Sequence, residues 1–317
     1  MTAPNHAVIL NRMPTVSAKN PEIIPAATVI LVSDRDGKLQ VYLLKRNPRS
    51  RFMAGYFVFP GGTVDRRDRR FDLFSRNCDL ACDAIFSRFG PELTEAQALA
   101  YCVAAIRETF EEAGVCLFQR DNLQPIDLNC INRLRTSTGL KKDWLLKFAA
   151  ADKCRLALSS LARWSHWITP ELMTRRFDTR FFLADMPANQ FCLPDECETV
   201  QGVWLSPAKA LAGNLAGNIP LSPPTLVTLH ELLKYTSVNN LQTENRRRPW
   251  GQARLPRLVP LPNSAVIVQP WDPLYHQEKI DIDLQSLPAM VLSVGESFSR
   301  IWCDNGIWKP IRAKVSS

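Results

Sequence analysis

Two apolar runs open the patterned part of the chain, AATVILVS (26–33) and LQVYLLK (39–45), and DRDG (34–37) separates them. β-Branched and aliphatic residues on both sides of an Asp-Gly turn predict a hairpin. The stretch GYFVF (55–59) then runs into Pro60-Gly61-Gly62 and a charged segment, TVDRRDRR (63–70), which predicts a strand, a turn and a loop. Helical periodicity follows. Thr94 and Gln97 form a capping box, and good helix formers continue to Gly114, a residue suited to end a helix. At roughly 100° per residue, Leu99, Cys102, Val103, Ile106, Phe110 and Ala113 fall in one apolar stripe. Glu108, Glu111 and Glu112 point to the opposite side and form a face of their own.

Between 120 and 163 the pattern allows two or three helical pieces, including KKDWLLKFAAA (141–151). Trp164 to Ile168, Thr179 to Met186 and ETVQGVWL (198–205) read as strands. The last leads through Ser206, an N-cap, and Pro207, at the first helical position, into a helix, and another helix spans Pro224 to Tyr235. The expected organisation is a flexible arm over 1–24, a main domain over 25–235 with an insertion at about 69–93, a linker over 236–256 and a small β-rich appendage over 257–317. Internal repeats and low-complexity tracts are absent from the sequence.

Composition narrows the class. With 46% hydrophobic and 22% charged residues, the chain is neither collagen-like, coiled-coil nor disordered in type. The formal charge of +8 permits nucleic acid, anionic lipid or a phosphorylated small molecule as partner. Aspartates interleave the Arg66, Arg67, Arg69, Arg70 cluster, so a solvated loop is expected there and nucleic acid is not expected as a partner. The nine cysteines are scattered, and Cys78/Cys82 and Cys192/Cys197 lack zinc-ligand spacing, so neither a zinc site nor a disulfide framework is expected. No apolar run approaches the ~20 residues that span a bilayer, and the first twenty residues have no signal-peptide core. No membrane is expected as a partner, and the expected address is cytoplasmic; oligomeric state is not legible.

Candidate chemistry sits on the helix. Glutamates at i, i+3 and i+4 repel one another by roughly 0.2 to 0.5 kcal/mol per pair, so Glu108, Glu111 and Glu112 need cations nearby. Arg107 answers only part of that charge. Two readings follow from the residues: a solvated face, or a site for a hard divalent cation such as Mg²⁺ or Mn²⁺.

Context favours the second. Arg107-Glu108-Thr109-Phe110-Glu111-Glu112-Ala113-Gly114, followed by Val115, resembles the signature helix of the Nudix hydrolase superfamily, and Gly62 fits the glycine that the pattern asks for upstream. Asp68 stands where the pattern has its first Glu. Gly62 and Arg107 are 45 positions apart instead of 14, so 31 residues are inserted inside the motif. The run from Leu43 through Arg46 and Arg51 to Gly55 and Phe59-Pro60-Gly61-Gly62 resembles the motif of coenzyme A diphosphatases, with Tyr42, Leu44 and Asn47 departing from it. Residues 163–187 and the inserted box are similar to the animal peroxisomal acyl-coenzyme A diphosphatase branch, the nucleoside-diphosphate-linked moiety X motif 19 type. That branch ends in a peroxisomal tripeptide, whereas this sequence ends Lys314-Val315-Ser316-Ser317.

The resemblance implies an α/β fold, a Nudix α/β/α sandwich with a mixed sheet, and metal-dependent hydrolysis of the diphosphate of coenzyme A or acyl-coenzyme A. It casts Glu108, Glu111 and Glu112, with the Gly62 carbonyl, as holders of Mg²⁺ or Mn²⁺, Arg107 as the residue that orients them, and Arg46 and Arg51 as contacts for substrate phosphates. Asp68 is a further candidate on the motif. Glu198, which precedes a strand ending in Trp204, is a candidate outlying base or a surface residue. Alternative readings are a Nudix pyrophosphatase for NADH or ADP-ribose and an idle module that binds nucleotide or RNA. Phe71, Phe74, Ile85, Phe86 and Phe89 of the insertion either cover an acyl arm or fold onto the core; Trp164 and Trp167 either stack on adenine or pack within the sheet.

Overall fold

The computed structural model describes residues 21–50, 53–90, 92–119, 135, 143–150, 155–245 and 248–313. The expected arm at 1–24 therefore lies almost wholly outside the described residues, apart from the start of the first strand.

The predicted hairpin is β1 (Ile23–Arg35) and β2 (Lys38–Arg46). Asp36 and Gly37 both take positive φ, 51° and 69°, as a tight turn with right-handed strand twist demands. β1 is long enough to serve two neighbours: Val32 to Arg35 pair with β2, while Ala26 to Thr28 pair with β4 (Gly61–Thr63). With β3 (Phe57–Val58), β7 (Ala162–Ile168), β8 (Arg176–Asp185) and β9 (Thr199–Leu205) they form one seven-stranded sheet in the order β3-β2-β1-β8-β7, with β9 also on β2. β5 (Phe118–Gln119) and β6 (Arg155–Leu156) pair apart from it as a two-stranded ribbon. β1 and β8 run parallel; the other pairs are antiparallel. The sheet is mixed, as expected.

Period-two alternation sends the side chains of β1 to two cores. Ala27, Val29 and Leu31 face a layer built on α3 (Glu95–Ala113). Ile30 and Val32 face the other layer, which contains α5 (Pro207–Leu215) and α6 (Pro223–Leu232). α3 begins at the predicted capping box, where Gln97 N donates to Thr94 Oγ1 at 3.2 Å and Thr94 N donates to Gln97 Oε1 at 2.9 Å. It ends at Gly114 in the left-handed conformation, φ 71°.

The structure decides two open alternatives and builds one expected linker into the fold. The insertion forms α1 (Phe71–Phe74) and α2 (Cys82–Phe89), and Phe74, Ile85 and Phe89 are fully buried in the α3 layer. It folds onto the core. Trp164 is also fully buried, under the Arg248 guanidinium at 3.9 Å, so it packs within the sheet layer and is closed to adenine. The 236–256 segment is built into the fold: it contains α7 (Val238–Asn245), and its buried Trp250 donates from Nε1 to the Phe89 carbonyl at 3.0 Å.

The β-rich C-terminal unit is an antiparallel sheet, β10 (Arg257–Leu261), β11 (Ser264–Val268), β12 (Arg300–Asp304) and β13 (Ile307–Ile311). Ile267, Ile301, Cys303 and Trp308 share the second core with Tyr56 and Leu211 of the larger sheet's layer. Tyr56 Oη donates to the Gly306 carbonyl at 2.5 Å, and Asn214 Nδ2 donates to the Trp308 carbonyl at 2.8 Å. Shared core and buried hydrogen bonds join this sheet to the rest; it does not hang from a tether. Among the described residues no helix is long and apolar enough to cross a membrane.

Candidate active site

Two elements meet where β1 transfers its pairing from β2 to β4. Pro60-Gly61-Gly62 enters β4 there, and the last turns of α3 lie against it. The β1 backbone requires glycine at 61, and the Glu108 carboxylate comes up against Gly62. A Cβ on Gly61 falls 2.4 Å from the Ala27 carbonyl oxygen and 2.7 Å from Thr28 Cα, and a Cβ on Gly62 falls 2.4 Å from Glu108 Oε1. The gap lets the Gly61 N–H donate to Glu112 Oε2 at 2.8 Å.

Arg107 organises one side. Its Nε and Nη2 grip Asp68 in a two-point pair at 2.9 and 2.8 Å, Nη2 also donates to the Thr63 carbonyl at 2.9 Å, and Nη1 donates to Glu108 at 2.7 Å and Glu111 at 2.8 Å. Only a planar guanidinium supplies that many donors in fixed directions. Asp68 is itself buried and held in its 3₁₀ turn by the Asp65 N–H at 2.8 Å. The 31-residue insertion leaves this contact intact, because Asp68 precedes α1 and α2, which pack on the α3 layer and lead back to Thr94.

The three glutamates differ in environment. Glu111 has both oxygens engaged, by Arg107 and by Trp144 Nε1 at 2.6 Å on α4 (Trp144–Ala150). Glu108 lies against Gly62, and burial outweighs the attraction of Arg107, pushing its carboxyl up to about 7. Glu112 is only 4% exposed; burial and the nearby charge of Glu108 push it well above the usual carboxylate range against the Gly61 N–H and Arg46. The carboxylate face is thus largely covered, because β4 lies against Glu108 and Glu112, and Arg107 and Trp144 hold Glu111.

Arg46, at the end of β2, and Glu198, one residue before β9, meet this site from the sheet. Arg46 pairs in register with Thr199, and the Asn47 N–H donates to the Glu198 carbonyl at 2.8 Å. The charges of both Arg46 and Glu198 are felt at Glu112. Asp195 fixes the turn, accepting from Glu198 N at 3.0 Å and Thr199 N at 2.8 Å. Arg51 lies outside the described residues.

Three contributors escaped the sequence reading: Trp144, Arg135 and the Gly61 N–H. Arg135 caps α3 by donating to the Glu111 and Glu112 carbonyls at 3.0 and 3.1 Å, fixing the turn that carries the glutamates. A tryptophan in the helical stretch 141–151 was visible, but nothing in the sequence joined it to Glu111.

Among the described residues no three His, Cys, Asp or Glu side chains stand close enough, as placed, to enclose a metal ion. Glu111 is drawn away by Arg107 and Trp144. Glu108 and Glu112 remain as two crowded, desolvated oxygen donors of like charge. That donor set suits a hard divalent cation.

The family model for the NUDT19 Nudix domain matches residues 18–232. The chain belongs to that family. Among curated NUDT19 proteins it is similar to the acyl-coenzyme A diphosphatase NUDT19 of Xenopus laevis, with 27% identity over 298 residues covering 83% of this chain and 77% of the relative. Similarity to the Homo sapiens protein of the same name is 29% over 301 residues, covering 83% and 80%. Of solved structures, the NUDIX hydrolase from Alicyclobacillus acidocaldarius superposes with a TM-score of 0.54 at 23% identity, over 71% of this chain and 97% of that one. This likeness shows the fold, and the matched NUDT19 domain contains every part of the glutamate site.

Proposed function

We propose that the chain hydrolyses the diphosphate of coenzyme A or acyl-coenzyme A, using Mg²⁺ or Mn²⁺, to 3′,5′-adenosine bisphosphate and 4′-phosphopantetheine or its acyl form. The observation that carries the reading is the pair of buried carboxylates, Glu108 and Glu112, against Gly61-Gly62, with Arg46 on the same site. Family membership and the acyl-coenzyme A diphosphatase relatives support the substrate class.

Glu108 and Glu112, with the Gly62 carbonyl, are the groups to hold the cation; Glu111 joins them if it leaves Trp144. When bound, the cation offsets the negative charge that grows on the diphosphate as the bond to water forms. Arg107 and Asp68 keep Glu108 in place, so the charge is met by groups already oriented. Arg46 faces the substrate phosphates and is the charge-assisted donor for them. Glu198, exposed at the rim, is the candidate acceptor for the proton of the attacking water.

Turnover of coenzyme A, ADP-ribose and NADH by protein stripped with EDTA and resupplied with Mg²⁺ or Mn²⁺ tests the reading. Coenzyme A esters are expected to lead, and activity to return only with metal. Tenfold better turnover of ADP-ribose or NADH would move the enzyme to another Nudix pyrophosphatase class.

A further inference from the structure

A cavity of about 210 Å³ opens beside the carboxylate site on the opposite face of the large sheet. Gly61 and Arg46 are among its lining residues, so it adjoins the residues assigned to the diphosphate. From there it runs between β7 and β8, α6 and the C-terminal sheet, with Trp167, Met173, Phe177, Ile267 and Trp308 in its walls. Arg46 is the one ionisable residue among those described that line it. Ile267 and Trp308 come from β11 and β13, so the C-terminal sheet builds part of the wall.

We propose that this cavity takes the acyl-pantetheine arm of the substrate, and that the C-terminal sheet is therefore part of the substrate site. The inference rests on the coenzyme A reading above. Cleavage of coenzyme A at its diphosphate separates two unlike halves. One, adenosine with a 3′-phosphate, carries charge at a distance from the diphosphate and needs cations beyond Arg46. The other is a neutral, flexible arm with methyl groups, amides and an apolar acyl tail. A cavity walled mostly by apolar side chains, with Arg46 the single cation in its lining, suits the second half: the phosphate stays at Arg46 and the arm enters apolar surroundings. Met173 and Met53 add flexible side chains that adapt to arms of different length. Of the insertion's apolar residues, the other candidate cover for an acyl arm, Phe74, Ile85 and Phe89 are buried in the α3 core, while Phe86 is exposed and is not among the residues that line this cavity.

The two product halves make the test direct. Binding of octanoyl-4′-phosphopantetheine and of 3′,5′-adenosine bisphosphate is measured by calorimetry on the full chain, wild type, Met173→Trp and Ile267→Phe, with folding checked by thermal melting. Both substitutions fill the cavity, Met173→Trp from a loop and Ile267→Phe from the C-terminal sheet. Expected is at least a tenfold loss for octanoyl-phosphopantetheine, the scale on which apolar pockets discriminate, with adenosine bisphosphate nearly unchanged. Loss confined to adenosine bisphosphate would make the cavity the nucleoside site and overturn the proposal. Unchanged binding of both halves to folded Met173→Trp, the loop variant least exposed to misfolding, would overturn it too. Wild-type cleavage of coenzyme A is scored first, so failure of the coenzyme A reading is seen separately from failure of the cavity assignment.

Discussion

Arg107 makes five hydrogen bonds to Asp68, Thr63, Glu108 and Glu111, and each of the last two carries a negative charge that the helix places beside another. Lysine at this position has one point of charge where five directed donors are needed. Arg107→Lys is expected to lower kcat by about tenfold or more while the fold persists, since the charge is kept but the directed contacts that position Glu108 and Glu111 are lost. Circular dichroism and steady-state kinetics on the same preparation check it. Glu112→Gln divides stability from function more cleanly. It removes a buried carboxylate that, among the described residues, the Gly61 N–H and the Arg46 charge stabilise less strongly than burial destabilises it, so thermal melting in EDTA should show a Tm no lower than wild type. Activity should fall by at least ~100-fold, because a ligand for the cation is lost. A large fall in Tm with activity retained would make Glu112 a structural residue. Spacing marked the glutamates as a separate face and left a solvated face and a cation site both open; their burial was not legible, because the helical wheel separates polar from apolar faces but cannot show that β4 lies against the polar one.

At the scale of elements, the helix that carries the site was readable from end to end. Thr94 and Gln97 mark its start and Gly114 its stop through local hydrogen bonds and a local φ, so no distant partner is needed to find them. Trp144 and Arg135 were not readable as site residues, because their partners on α3 lie 33 and 24 positions away and no local pattern records the pairing. Gly114→Ala should cost about 1 kcal/mol in urea unfolding from its positive φ, and more where the new Cβ meets Arg135 Nη1 at 2.8 Å. The insertion gives a sharper contrast. Surface decoration would tolerate replacement of residues 72–90 by a Gly/Ser linker. Phe74, Ile85 and Phe89 are buried, and each such side chain is worth ~1.5 to 3 kcal/mol, so the replacement should give an unfolded or aggregated chain. A cooperative melt near the wild-type Tm would return the insertion to the surface.

For the whole molecule, the two sheets share one core and one cavity, and this was the least legible feature. The strand-rich stretch 257–317 announced a β unit, but a hydrophobic residue carries no mark of which sheet it will meet. Ile267, Ile301, Cys303 and Trp308 meet the layer of the larger sheet. Removing residues 257–317 should therefore cost several times ~1.5 to 3 kcal/mol, comparable with the ~5 to 15 kcal/mol that stabilises an ordinary domain. Expression of residues 1–256 with urea unfolding checks this: little soluble, cooperatively folding protein is expected.

The central claim, hydrolysis at the diphosphate through the buried glutamates, meets its most direct test in the mass of the products. Coenzyme A incubated with wild type or Glu112→Gln, in Mg²⁺ or Mn²⁺, is resolved by mass spectrometry. Wild type should give 3′,5′-adenosine bisphosphate and 4′-phosphopantetheine in equal amounts, and the variant at least ~100-fold less of each. Loss of the 3′-phosphate to give dephospho-coenzyme A, or equal yields of both products from the variant, would contradict the account.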